Sequence, residues 1–330
     1  MPRFRVVVAD FITDALAPER EILGDIADVI TLDAASEADL LGKVEEADAV
    51  MMYHNIAITK ETLSRLKHCK LIVRCGVGFD NIDFRFARER GIPVANVPDY
   101  GTEEVADSAI GLALALTRGI SFFNNRLQRQ ASNWSYMQGA RLLRLRGRVF
   151  GIIGLGRIGT ATALRAKALG MDVAFYDPYK PDGYDKALGL RRVEKLDDLF
   201  RQVFVLSVHC PLTPETRHIV DARGIGLMPD GSYLVNTARG ATVDATAIPP
   251  AIRSGKLAGA GIDVLPVEPP PEDHPLLVAW RDPNDPCHDR VIMNPHSAFY
   301  AEEGLLDMRV KGATACRRAL LGEPLRNVVN

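Results

Sequence analysis

Cysteine is scarce in this chain of 330 residues. The five present, Cys69, Cys75, Cys210, Cys287 and Cys316, are odd in number, irregularly spaced and never arranged as CxxC. That pattern argues against structural zinc and for a reducing compartment, and no metal is expected. A dominant charge is also missing: 40 basic residues face 42 acidic ones, for a formal net charge of −2. There is no broad basic surface for nucleic acid. The one dense basic run, Arg141 to Arg148, reads as a solvated junction between a helix and a strand. Long hydrophobic runs are absent too. The longest apolar helical pattern, around Ala109 to Leu116, falls well short of a membrane span. The opening MPRFRVVVAD enters a strand-like run without a signal-peptide profile. The expectation is a cytoplasmic protein that engages neither nucleic acid nor membrane.

Short β-type runs alternate with helical patterns nearly throughout, and no internal repeat interrupts them. One series is Arg5–Ala9, Ala49–Tyr53, Leu71–Arg74 and Val94–Asn96. A second is Val149–Ile153, Val173–Tyr176, Val203–Val208, Ser232–Asn236, Gly259–Asp263 and Val291–Asn294. Most are continuously apolar, as parallel strands covered on both faces must be. This is α/β architecture, and the length suggests two domains, one open sheet in each. Between the series, Thr102 to Thr117 reads as a long helix that Thr102 can cap and that Glu103 and Glu104 favour at its positive end. Segment Ser121 to Arg148, with Trp134, delays the next strand and is expected to pack on a partner subunit.

Gly154, Gly156 and Gly159 form GxGxxG directly after an apolar strand and directly before a helical pattern. Backbone without Cβ permits a tight turn and the approach of a pyrophosphate, which the N–H groups of the helix start can bind. The next strand ends at Asp177, whose carboxylate suits ribose hydroxyls and repels a 2′-phosphate, so the cofactor expected is NAD. A nucleotide fold does not name a reaction. Arg239 follows an apolar strand in LVNTARG, Glu268 sits among prolines in LPVEPP, and His296 follows another strand in NPHSAFY. Each has a plain alternative, as a salt-bridge arginine, a surface acid or a surface histidine. Together they suit hydride transfer coupled to proton transfer: a histidine donor, a carboxylate that keeps it charged, and an arginine that holds substrate.

With these residues in place the chain resembles the D-isomer-specific 2-hydroxyacid dehydrogenases over nearly its whole length. The resemblance rests on VRCGVGFDNID, EEVADS, IIGLGRIG, FYDPY, VNTARG, DVLPVEPP and NPHSAF. Within the family it is nearest to the C-terminal-binding-protein-like branch, through MYHNIAIT and ALRAKALG. The resemblance implies two doubly wound parallel-sheet domains around a cleft. A flavodoxin-like substrate domain would take residues 1–102, completed by 296–330, and a Rossmann-type NAD domain residues 103–295. It implies that Arg239, Glu268 and His296 are the catalytic trio. Val77 and Gly78 would bind the substrate carboxylate, with Arg74 nearby and Tyr53 and His54 reaching the substrate. Arg157 and Ile158 would join the glycine loop at the pyrophosphate. His209, Thr237, Ala238 and Asp263 would line the nicotinamide end, with Ser108 at the domain crossing. Phe299 stands where the corepressor branch has tryptophan and is expected to border the substrate side chain. A homodimer through the NAD domain is implied as well.

Three departures from the family stand out. The stretch between Glu268 and His296 is longer than in near relatives, Ala241 replaces a glycine, and Pro249-Pro250 falls where relatives continue a helix. The principal reading is an NAD-dependent reductase of small 2-oxoacids to D-2-hydroxyacids. An NAD(H)-responsive scaffold of the corepressor type and a phosphite dehydrogenase are the alternatives.

Overall fold

The computed structural model describes residues 3–138 and 142–330. Arg141, the first residue of the basic run, and the N-terminal Met1 and Pro2 lie outside the described residues. The chain divides into two compact units, Met1–Gly101 with Tyr300–Asn330, and Thr102–Phe299.

The first unit is built on five parallel strands: β1 (Phe4–Val8), β2 (Ala27–Thr31), β3 (Ala49–Met52), β4 (Leu71–Arg74) and β5 (Val94–Asn96). Their order is β2-β1-β3-β4-β5, the flavodoxin-like arrangement. Every residue of β3 and β4 is buried, which is why AVMM and the LIV of β4 read as apolar runs, with Arg74 closing the second. Strand β2 escapes the sequence reading because ADVIT lies at the sheet edge and only Ala27 and Val29 are buried. The C-terminal helix Glu302–Leu321 completes this unit. Its Arg309 holds Glu19 through two contacts of 2.7 Å and Asp14 through contacts of 2.6 and 2.8 Å. Beyond the helix, the Val329 N–H donates to the Val94 carbonyl at β5.

The second unit carries seven parallel strands: β6 (Val149–Ile153), β7 (Asp172–Tyr176), β8 (Arg191–Arg192), β9 (Val205–Val208), β10 (Ser232–Asn236), β11 (Leu257–Ile262) and β12 (Val291–Met293). The order β12-β11-β10-β9-β6-β7-β8 is the Rossmann arrangement, with β6 flanked by β7 and β9 at the point where the winding reverses. Helix Thr102–Thr117 opens the unit and buries Val105, Ala109, Leu112, Ala113 and Leu116, one face at helical spacing. Thr102 is the first helical residue rather than its cap, and its hydroxyl oxygen is buried without a hydrogen-bond partner.

The second unit runs through Phe299, and the Asp263 carboxylate accepts the N–H groups of Ser297 and Ala298 within it. The long stretch after Glu268 forms helices Pro275–Arg281 and Cys287–Arg290, whose Leu276, Leu277, Ala279 and Cys287 enter the core. Pro249 and Pro250 break nothing, since they lie in the first turn of helix Ile248–Arg253, where the missing N–H groups have no intrahelical acceptor to lose. Among the described residues no single helix is long and apolar enough to cross a membrane. Trp134, Tyr136 and Met137 are more than three-quarters exposed.

Candidate active site

In a parallel sheet every strand points the same way, so residues that follow strand ends gather along one edge. In the second unit that edge collects Asp177 after β7, the glycine loop after β6, His209 after β9, Thr237, Ala238 and Arg239 after β10, Asp263 after β11, and His296 after β12. From β7 to β10 is three inter-strand steps, roughly 14 Å. That span separates the Asp177 end of the edge from the Arg239 end.

The glycine loop meets the demands of a pyrophosphate cradle. Gly154 has φ +88°, and a Cβ there would lie 2.7 Å from the Cys210 backbone nitrogen. A Cβ on Gly159 would run into the Gly154 carbonyl, so the close packing of helix Arg157–Ala168 on the loop requires glycine. A Cβ on Gly156, by contrast, would meet no protein atom within 4 Å, leaving open backbone at the start of that helix. Arg157 is exposed and Ile158 half-buried in its first turn. Asp177 accepts the Leu155 N–H at 2.8 Å and the Tyr179 N–H at 3.0 Å, which locks its carboxylate beside the loop.

At the other end, two buried polar atoms, His209 Nδ1 and Thr237 Oγ1, have no hydrogen-bond partner within the protein. Burial pushes the His209 imidazole down to about 3, so it is neutral, and its Nε2 lies 2.8 Å from the Ser207 hydroxyl. Unpaired buried groups of this kind fit a polar ligand such as a carboxamide. The loop after β10 is held from within: the Ala238 N–H donates to Asn236 Oδ1 at 3.1 Å and the Asn236 amide to the Arg239 carbonyl at 3.0 Å. Asn236 was not anticipated, although its place at the end of an apolar strand is a usable signal.

Glu268 and His296 meet directly, with 2.6 Å between Oε2 and Nδ1. Glu268 Oε1 accepts the Leu265 N–H at 2.9 Å, which orients the carboxylate. Burial pushes that carboxyl up, but the hydrogen bond and charge of His296, with the Leu265 N–H and the Arg239 charge, hold it below its ordinary value. His296 adopts φ +51°, an uncommon conformation for a residue with a side chain. Its N–H bonds the Asp263 carbonyl at 2.8 Å, while the buried Asp263 carboxylate takes the next two N–H groups. Asp263 is thus the anchor of the histidine loop. Ser108 has a related part, since its hydroxyl donates to the Ala298 carbonyl at 3.2 Å. The Phe299 ring stands edge-on to the imidazole at 6.0 Å.

The candidate residues of the first unit lie at its own carboxyl sheet edge, after β3 and β4. Arg74 is buried, and its Nη1 donates to the Cys75 carbonyl at 3.1 Å. The Val77 carbonyl accepts from the Asn96 amide at 2.7 Å, which steadies the loop that includes Gly78. His54 is half-buried against Phe11. The Tyr53 side chain is fully buried, and its hydroxyl has no hydrogen-bond partner within the protein.

Residues 110–298 match the family model of the D-isomer-specific 2-hydroxyacid dehydrogenase, NAD binding domain. The chain is 35% identical to D-3-phosphoglycerate dehydrogenase of Methanocaldococcus jannaschii over 98% of its own length, and 37% identical to C-terminal-binding protein 1 of Caenorhabditis elegans over 92%. It spans only 60% and 42% of those two relatives. A solved D-lactate dehydrogenase from Aquifex aeolicus, in complex with NAD and lactic acid, superposes with a TM-score of 0.81 at 30% identity, covering 96% of each chain. A glycine cradle shaped for pyrophosphate, a fixed carboxylate at the neighbouring strand end and a family match across that same unit converge: this chain belongs to the D-isomer-specific 2-hydroxyacid dehydrogenases and takes NAD as its cofactor.

Proposed function

We propose that the protein interconverts a small 2-oxoacid and its D-2-hydroxyacid. The observation that carries the reading is the 2.6 Å pairing of His296 with Glu268, on the same sheet edge as Arg239. In the reductive direction His296 donates a proton from its other ring nitrogen to the carbonyl oxygen as that becomes an alcohol. Glu268 orients the imidazole and sets a negative charge beside it, and the Arg239 fork grips the substrate. The nicotinamide cofactor supplies the hydride. Val77 and Gly78, with Arg74, are assigned to the substrate carboxylate, and His54 to the substrate itself. Trp134, Tyr136 and Met137, exposed on the second unit, support pairing with a second copy of the chain through that unit. A scaffold role is the second reading, favoured by the likeness to C-terminal-binding protein 1. Steady-state turnover of NADH with a panel of 2-oxoacids decides between them, because a scaffold would leave the whole panel unreacted.

Asp177 makes the cofactor choice testable. Its fixed carboxylate would face a dianionic 2′-phosphate at close range, so NADH should exceed NADPH in kcat/KM by about 100-fold. Asp177→Ala should cut that ratio about tenfold or more. Equal kcat/KM for both cofactors in the parent protein contradicts the assignment.

Phe299 concerns the substrate side chain. Its ring borders the imidazole and offers no N–H donor, so small and medium apolar side chains should be accepted without need of a phosphate. Phe299→Ala and Phe299→Trp should reorder kcat/KM among glyoxylate, pyruvate and longer oxoacids. The same rank order in both variants would make Phe299 a packing residue only.

A further inference from the structure

The first unit contains a device that the trio does not use. Asp10, just past the end of β1, is fully buried. Its Oδ1 accepts the Tyr53 N–H at 2.6 Å and its Oδ2 the Asn55 N–H at 2.9 Å, so one carboxylate clamps the backbone on both sides of His54. The next residue, Phe11, has φ +68°. The Ile12 N–H donates to the Asp10 carbonyl at 2.8 Å, closing a three-residue γ-turn centred on Phe11. Such a turn at positive φ is rare and strained, and for a bulky L-residue it is an outlier. The Phe11 ring lies against the His54 ring at 4.7 Å, tilted by 56°, and against the buried Tyr53 ring at 5.3 Å.

Strain of this kind persists only where the surroundings over-determine it, and it gathers at functional sites. A phenylalanine that merely filled space would not need this backbone conformation. Here the strained turn aims the ring at His54, and the residue before it holds the peptide groups on either side of His54. We infer that Asp10 and Phe11 are positioning residues for His54, the carboxylate holding its backbone and the strained ring its imidazole, and that together they set how tightly the 2-oxoacid is held. The inference rests on the proposed reading, in which His54 touches substrate.

The test compares Phe11→Gly, Phe11→Tyr, Asp10→Asn and His54→Ala, using NADH and the preferred 2-oxoacid of the panel. Glycine adopts φ +68° without strain, so Phe11→Gly should not lower the melting temperature through the backbone. It should still raise the oxoacid KM about tenfold, with the Kd for NADH within about twofold of the parent value. Phe11→Tyr keeps the ring and should keep the parent KM. Asp10→Asn leaves one acceptor oxygen for two N–H groups and should raise KM in the same direction. The double variant Phe11→Gly/His54→Ala should be no worse than His54→Ala alone, because both act through one side chain. A raised KM in His54→Ala with an unchanged KM in Phe11→Gly overturns the inference and leaves the reading of His54 intact, as would additive effects in the double variant. A silent His54→Ala removes His54 from the substrate and takes the inference with it.

Discussion

Replacing His296 by alanine is expected to lower 2-oxoacid turnover by about two to four orders of magnitude, the usual contribution of a positioned general acid. NADH affinity should stay within about twofold, because Asp177 is held beside the glycine loop by the Leu155 and Tyr179 N–H groups. The geometry behind the expectation is restrictive. The imidazole is oriented by Glu268 through Nδ1, and its backbone is held at φ +51° by the Asp263 carbonyl, with the Asp263 carboxylate fixing the two residues that follow. Glu268→Gln separates the charge from the orientation. Glu268 stays ionised because its carboxyl, which burial alone would push up, is held down by His296 and its other partners. That carboxyl protonates only below its ordinary range, so turnover should be lost on the acid side as the pairing breaks, and Glu268→Gln should lower turnover and lack that acid limb. An unchanged pH profile would refute the pairing as a catalytic device.

Arg309→Ala should destabilise the first unit by about 3–5 kcal/mol, the cost of stranding a buried charge by removing its partner. Glu19 is fully buried and Arg309 nearly so, and the guanidinium satisfies both oxygens of Glu19 and both of Asp14. Without it the C-terminal helix loses its charged tie to helix Ala17–Leu23, although Arg317 still bonds the Ile22 carbonyl and Asp25. Removing both charges with Arg309→Met/Glu19→Gln should recover part of the loss, because the buried carboxylate is then no longer ionised and alone. Urea unfolding followed by far-UV circular dichroism would read the change. Both tryptophans, Trp134 and Trp280, lie in the second unit, so their fluorescence transition should move less. A total cost below about 1 kcal/mol would show that the network contributes no more than an exposed ion pair.

Much of this was legible before any coordinates, and the residues show why. GxGxxG followed by a strand ending in Asp177 is a local pattern whose chemistry depends on near neighbours alone. The predominantly apolar strands β3, β4, β9 and β10, every residue of which is buried, show no polar alternation because both faces are covered. The edge strand β2 and the two-residue β8 carry no such run and went unseen. Arg239, Glu268 and His296 were identifiable as strand-end residues, yet only the parallel register of β11 and β12, Ile262 opposite Met293, sets the stage for a glutamate and a histidine 28 positions apart to meet.

Tertiary contacts likewise decided that the Tyr53 side chain is buried while His54 beside it is half-buried, that Asp263 anchors the histidine loop, and that Pro249 and Pro250 start a helix instead of ending one. They also joined the helix of Arg309 to a carboxylate 290 positions earlier, and set Asp10 and Phe11 around His54. The sequence by itself determined the periodicities, the glycine turn and the residue types available at each strand end, since these follow from nearest-neighbour sterics and from whether a face can be left in water. Which of those side chains touch was decided by strand register and by which helix covers which face, and both depend on contacts between segments far apart in the chain.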